Sequence, residues 1–210
     1  MFFCGMNGAR TSPHERAHFD ALYASSDDPW HLRASWYEQR KRGLLLASLP
    51  ESRYAWAYEP ACAGGELTRS LARRCKRLLA SDGSEAAVAL ARRRLADMGQ
   101  VQVRQAWLPD EWPEGRFDLI VLSEFLYYLR PQAIAQVAQQ ARAALLPGGT
   151  VVACHWRAPI AGCALGGDAV HRQLRADLAL PQALSCVDAD FCLDLWQDQL
   201  QSVAQRDGRR

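Results

Sequence analysis

Phe117-Asp118-Leu119-Ile120-Val121-Leu122-Ser123, followed some 25 residues later by Leu146-Pro147-Gly148-Gly149, is the stretch that decides the fold. The first run is almost unbroken in apolar side chains, which suits a strand covered on both faces. The second places Pro and Gly where an intervening helix has to stop. Between them Pro131 suits a first helical turn, and Ile134, Val137, Ala138, Ala141 and Leu145 repeat at helical spacing. Strand, helix and strand in that order predict a βαβ unit.

Outward from this unit the alternation continues. Tyr54 to Glu59, Lys76 to Ser81, Val101 to Arg104 and Thr150 to His155 supply four more candidate strands. Ser84 can cap a helix reaching Leu95, with Glu85 at its positive end and Val88, Ala91 and Leu95 along one face. Beyond the fifth strand come a Gly-rich loop, Gly162 to Gly167, a short helix through Leu174, and an alternating strand, Phe191 to Leu195. Pro13 to Pro50 reads as helical and carries Trp30, Trp36 and Tyr37. The expectation is one α/β domain with a doubly wound, Rossmann-like sheet. Residues 1–50 form an N-terminal helical lid on a core of residues 51–210.

The bulk properties fit an ordinary globular domain. A chain of 210 residues can bury one real core. A formal charge of +2 gives no electrostatic reason to expect nucleic acid or a membrane surface as partner. Arg73 to Arg77 and Arg92 to Arg94 read as solvated helix ends. The seven cysteines are odd in number and lack a Cys-x-x-Cys pair, which points to thiols in a reducing compartment and to no zinc or other metal site. Met1 to Arg10 holds no apolar stretch of signal-peptide length, and no run approaches the roughly 20 apolar residues of a membrane span. A cytoplasmic protein is expected, and its oligomeric state is not readable.

Open α/β sheets bind ligands beyond the carboxyl ends of their strands, where strand order reverses. The first such loop, Glu59-Pro60-Ala61-Cys62-Ala63-Gly64-Gly65, spaces small residues after a carboxylate so that backbone can pass close under a ligand. Ala61 and Ala63 keep the smallness but not the freedom of glycine. Asp82, 23 positions after Glu59, can accept from both hydroxyls of a ribose, or can simply cap the helix ahead of Ser84. Around the fourth and fifth strand ends lie Ser123, Glu124, Tyr127, Tyr128, His155 and Trp156, with Asp168 and His171 three apart on the next helix. His155 closes an apolar strand where a ligand would sit; a structural hydrogen bond is the alternative. For Asp168 and His171 a capping pair is the alternative.

Together with Asp28-Pro29-Trp30, Trp36-Tyr37-Glu38-Gln39-Arg40-Lys41, Leu108-Pro109-x-Glu111-Trp112-Pro113, Tyr127-Tyr128-Leu129, His155-Trp156-Arg157 and Gly167-Asp168-Ala169-Val170-His171, these motifs resemble class I S-adenosylmethionine-dependent methyltransferases. Within that class the chain, from about Phe19 onward, is most similar to the nodulation protein S (NodS) family of N-methyltransferases. The resemblance implies seven strands, the last antiparallel, and S-adenosylmethionine as cofactor. It implies Glu59 near the methionine amino group, Ala61 and Gly65 under the cofactor, and Asp82 and Gly83 at the ribose. The main chain of Trp107 and Leu108 would meet adenine, Ser123 and Glu124 the methionine end. Trp30, Tyr37 and Arg40 would come from the lid, Arg40 as partner for the cofactor carboxylate. Related sequences carry an aspartate at the place of Trp107, so this indole either stacks on adenine or packs in the core.

Methyl transfer from a sulfonium is an in-line displacement with a neutral leaving group, so the site has mainly to align the reacting atoms. Glu124 and His155 are the residues expected to orient the acceptor or take its proton. Tyr127, Tyr128, Trp156, Asp168 and His171 are expected to bind it. The family favours a small-molecule amine, such as an amino sugar. An O-methyltransferase and a non-catalytic scaffold are the rivals. A nicotinamide oxidoreductase lacks its Gly-x-Gly-x-x-Gly here.

Overall fold

Val121 lies at the centre of a seven-stranded sheet in the computed structural model, which describes residues 13–163 and 165–209. The strands are β1 (Tyr54–Pro60), β2 (Cys75–Asp82), β3 (Val101–Gln105), β4 (Phe117–Ser123), β5 (Leu145–Trp156), β6 (Gln182–Val187) and β7 (Phe191–Gln197). Their order is β3-β2-β1-β4-β5-β7-β6. The pairs from β3 through β5 are parallel, while β7 runs antiparallel to both β5 and β6. The helices are α1 (Pro13–Ser25), α2 (Trp36–Ser48), α3 (Glu66–Ala72), α4 (Glu85–Arg94), α5 (Pro131–Ala144), α6 (Gly167–Leu178) and α7 (Val203–Arg206). The direction of winding reverses between β1 and β4, so the loops leaving these two strands part and open a crevice.

β4 is apolar throughout because it is packed from both sides. Ile120 and Leu122 join Ile134, Val137 and Trp196 beneath α5 and α6, whereas Leu119 and Val121 join Leu45, Leu71 and Val152 on the opposite face. Asp118 is the polar exception, and its carboxylate accepts the N–H groups of Ala55 and Trp56 at the start of β1. It thereby fixes the two strands that frame the crevice.

Four elements differ from expectation. Pro13 to Pro50 is not one helical stretch: α1 and α2 are separated by a turn in which Asp28 accepts from the N–H groups of Leu32 and Arg33. β5 begins at Leu145, so Leu146 to Gly149 is an irregular strand entry rather than a loop. Its pairing jumps between Phe117↔Leu145 and Leu119↔Thr150, as a proline without an N–H and Gly148 at φ +74° require. α6 runs on to Leu178, which it buries. β6 escapes sequence reading because it is a short edge strand that buries none of its residues fully. Met1 to Arg10, with Cys4, lie outside the described residues.

The basic runs do more than face solvent. The Arg74 guanidinium donates to the carbonyls of Leu46, Leu49, Glu51 and Ser52, closing the end of α2. Arg92 donates to the Val103 carbonyl, and Arg94 to that of Gly64 in the loop after β1. Arg74→Ala, by leaving several carbonyls without a charged donor, should destabilise the fold by about 2 kcal/mol and lower Tm by roughly 4–8 °C, measured by circular dichroism.

Candidate active site

The loop after β1 turns by placing Ala61 and Ala63 in the left-handed region, at φ +53° and +50°, with Gly65 at +83°. An alanine in that conformation costs about 1–2 kcal/mol, so the loop is strained at the two positions where glycine would be relaxed. Gly65 has no such choice, since a Cβ there would come within 3.1 Å of Leu95 and 3.4 Å of Ala91. α4 therefore packs directly on the loop.

Three carboxylates surround the crevice. Glu59 ends β1 and is 2% exposed, and its Oε2 finds no hydrogen-bond partner among the described residues. Burial pushes this carboxyl up to about 8, against a smaller opposing effect of the Thr68 hydroxyl beside it, with Asp82 adding to the rise. Asp82 ends β2 and accepts from the N–H groups of Ala63 (2.9 Å) and Ser84 (3.0 Å). Burial raises it too, with these backbone donors pulling the other way. Helix-capping and a ligand role are thus compatible, because one carboxylate carries about four acceptor positions.

Above Asp82 lies an aromatic cover from the lid. Phe19 packs edge-on against Tyr128 (5.2 Å) and tilts against Trp30 (6.5 Å) and Trp107 (6.4 Å), while Tyr23 meets Trp30 edge-on at 5.7 Å. Ser84 donates to Asp20, fastening α1 to the start of α4. The Trp107 indole lies flat on Gly83, where a Cβ would come within 2.5 Å of the ring. Beside it opens a cleft of about 610 Å³, lined by Asp20, Gly83, Glu85, Ala86, Ala89, Gln105 and Trp107.

Glu124 follows β4 at φ +58°, held there by its N–H donating to the Cys154 carbonyl. Its Oε1 accepts from Lys41 Nζ (2.6 Å), and its Oε2 from the Tyr127 hydroxyl (2.8 Å) and the Trp156 N–H (2.9 Å). Lys41 also donates to Glu38 Oε1 (2.8 Å) and sits 4.9 Å from the centre of the Tyr37 ring. Burial opposes its charge, but Glu124 and Glu38 outweigh burial and hold the ammonium above its usual range. Tyr37 in turn packs edge-on against Trp156, and its hydroxyl is buried without a partner among the described residues.

Several expected site residues sit elsewhere. His155, expected to take a proton, is completely buried. The Leu126 N–H donates to its Nε2 (3.4 Å), which places the ring proton on Nδ1, facing His171 Nε2 at 3.1 Å. His171 Nδ1 then donates to Asp194 Oδ2 at 2.8 Å. Burial first, then His171 and Lys41, hold His155 well below the ordinary range, so it stays neutral. This is an internal strut between β5, α6 and β7, and it removes His155 and His171 from the crevice. Asp168 does not join His171 but pairs with Arg157 at the surface. Arg40 pairs with Asp188 next to β7 and lies 5.8 Å from the Phe191 ring centre, away from the cofactor loop. Tyr127, Tyr128, Trp156, Ser123 and Leu108 remain around the ends of β3, β4 and β5.

The sequence signal for Lys41 is its three-residue spacing from Glu38. Asp194 was legible as a lone carboxylate in an apolar strand, which demands a buried partner. Phe19 and Tyr23 gave no signal beyond their place in a helix.

The family described as nodulation protein S (NodS) matches residues 17–180. The chain belongs to the nodulation protein S family. Nodulation protein S of Sinorhizobium fredii is 31% identical over 150 residues, which cover 70% of this chain and 69% of that protein. A solved structure from Pseudomonas syringae, provisionally described as a methyltransferase, is 47% identical with a TM-score of 0.70, covering 78% of this chain and 99% of the other. The N-methyltransferase NodS of Bradyrhizobium japonicum WM9, in complex with S-adenosyl-L-homocysteine, shares the fold at a TM-score of 0.75 and 24% identity, over 88% and 98% of the two chains. As a NodS-family member the protein is an S-adenosylmethionine-dependent methyltransferase.

Its residues fit that cofactor. The unpartnered Glu59 oxygen is buried at the loop and needs a cation, which an amino group supplies. Because burial raises Glu59, the free protein loses stability as pH rises from the unfolded value near 4.5 through about 8. An ammonium partner requires the ionised form, so binding displaces the Glu59 proton below pH 8. The affinity for S-adenosylhomocysteine should therefore rise between pH 6 and 8, by up to about tenfold per unit, and Glu59→Gln should flatten this slope in calorimetry.

Proposed function

We propose that this enzyme methylates an amino group of a small molecule, an amino sugar being the acceptor class that the family favours. The supporting observation is the charge count at the acceptor end. Glu38 and Glu124 share the single ammonium of Lys41, which leaves one net negative charge beside the aromatic wall of Tyr37, Tyr127 and Trp156. Such a pocket suits an amine that arrives partly protonated.

Bound S-adenosylmethionine supplies an electrophilic methyl group. In this reading the chain grips it through Glu59 at the amino group, Asp82 and Gly83 at the ribose, and the cleft beside Trp107 at adenine, with Ala61, Gly65, Leu108 and Ser123 shaping the path. Trp30 and Tyr37 close over it from residues 1–50, which act as a lid on the 51–210 core. Glu124 uses three of about four acceptor positions on Lys41, Tyr127 and Trp156 and offers the fourth, on Oε1, to an N–H of the acceptor. It orients the nitrogen lone pair toward the methyl group, and Tyr128 walls the pocket. His155 braces the turn below.

The free thiols of Cys62, Cys75, Cys154, Cys163, Cys186 and Cys192 support a cytoplasmic setting. No helix among the described residues is long and apolar enough to cross a membrane. The near-neutral charge supports a small-molecule acceptor over nucleic acid.

A radiolabelled transfer assay over amino sugars, deacetylated chitin oligomers and small phenols tests the acceptor class. Amines should be methylated and phenols not; preference for phenols refutes N-methylation. Glu124→Gln should lower kcat/KM about 100-fold. Asp82→Ala should abolish binding of S-adenosylhomocysteine, and wild-type protein binding it no tighter than about 1 mM would mark a scaffold instead.

A further inference from the structure

Among the described residues Lys41 is the one that joins α2 to the acceptor end by a charged contact, and the proposed transfer leaves it without a task of its own. Its side chain is 7% exposed. A buried ammonium is stable only when paired, and this one is paired twice, to Glu38 within α2 and to Glu124 beyond β4. The three donors on Glu124 come from three different elements. Tyr127 belongs to the 3-10 turn Leu126–Tyr128 and Trp156 ends β5; both act on Oε2. Lys41 alone acts on Oε1, the oxygen with a free acceptor position, and it alone comes from the lid.

We propose that Lys41 is a positioning residue for methyl transfer, acting through Glu124 to fix the oxygen that receives the acceptor N–H. The inference rests on the reading of Glu124 as the acceptor-facing group. Without Lys41, the carboxylate keeps both contacts of Oε2 but is released at Oε1, and it loses the only cation that touches it among the described residues. α2 stays docked through Leu45 in the core and Arg40 on Asp188, so the loss falls on the carboxylate rather than on the helix. An acceptor is then bound with its nitrogen misaligned, and an error of about 1 Å in such a geometry can lower the rate about 100-fold. Glu38 keeps the ammonium in place from one helical turn away, so that closing the lid delivers it to Oε1 in a fixed direction.

A double-mutant cycle on Lys41→Met and Glu124→Gln, with acceptor varied at saturating S-adenosylmethionine, tests this. Lys41→Met should reduce kcat about 10- to 100-fold, leave acceptor KM within about threefold, and leave the Kd for S-adenosylhomocysteine within about threefold. In the Glu124→Gln background it should add no further loss, since the group it acts through is gone. Should the single variant fail to fold, Glu38→Gln/Lys41→Met removes the orphaned carboxylate along with the ammonium and should show the same kcat defect with a retained melting transition. Wild-type kcat in either Lys41 variant, or losses that multiply in the cycle, overturns the inference. Wild-type turnover of Glu124→Gln alone overturns instead the reading of Glu124 on which it rests.

Discussion

Three carboxylates stand at the ends of three adjacent parallel strands, and the need to keep them out of bulk water without leaving them bare governs everything above the sheet. Asp82 beyond β2 is met by backbone N–H groups. Glu124 beyond β4 is met by an ammonium, a hydroxyl and an amide. Glu59 at the end of β1, between the other two, has one oxygen that no group among the described residues meets. Unpaired buried charge is among the most expensive features a fold can carry, and burial raises this carboxyl so that its neutral form is favoured. The gradation from satisfied to unsatisfied tells where the fold is finished and where it expects a ligand.

The helices α1 and α2 answer the same constraint. Their aromatic residues shield Asp82 from water, and burial followed by the proximity of Asp82 drives the Tyr23 hydroxyl above its usual range. Shielding strengthens each polar contact below it. The same two helices are fastened by polar contacts at three places: Asp20 to Ser84 beside Asp82, Lys41 to Glu124, and Arg40 to Asp188.

Much of this was legible in the sequence. β4 announced itself because a strand packed on both faces cannot alternate, and α5 because its apolar residues keep helical spacing. Glu59, Asp82 and Glu124 could be placed because each follows such a strand at its carboxyl end. The histidines could not. Strand position says that His155 lies near a ligand, but whether it points up or down depends on Asp194 and His171, which lie tens of residues away and meet it only in three dimensions. Arg40 and Lys41 are a second instance: adjacent positions on a helix point about 100° apart, and only packing decides which of two cations enters the crevice. β6 stayed hidden because its apolar residues are short-run and only half-buried at the sheet edge.

The contact between Trp107 and Gly83 has a consequence for how such a site changes over evolutionary time. An indole resting on bare backbone leaves no room for any side chain at position 83, so the two positions form a lock with an order of opening. A larger residue at 83 becomes acceptable only after the ring at 107 has been shortened, and the reverse exchange must pass through glycine. Substitution histories across this pair are therefore directional, and the two positions should change together.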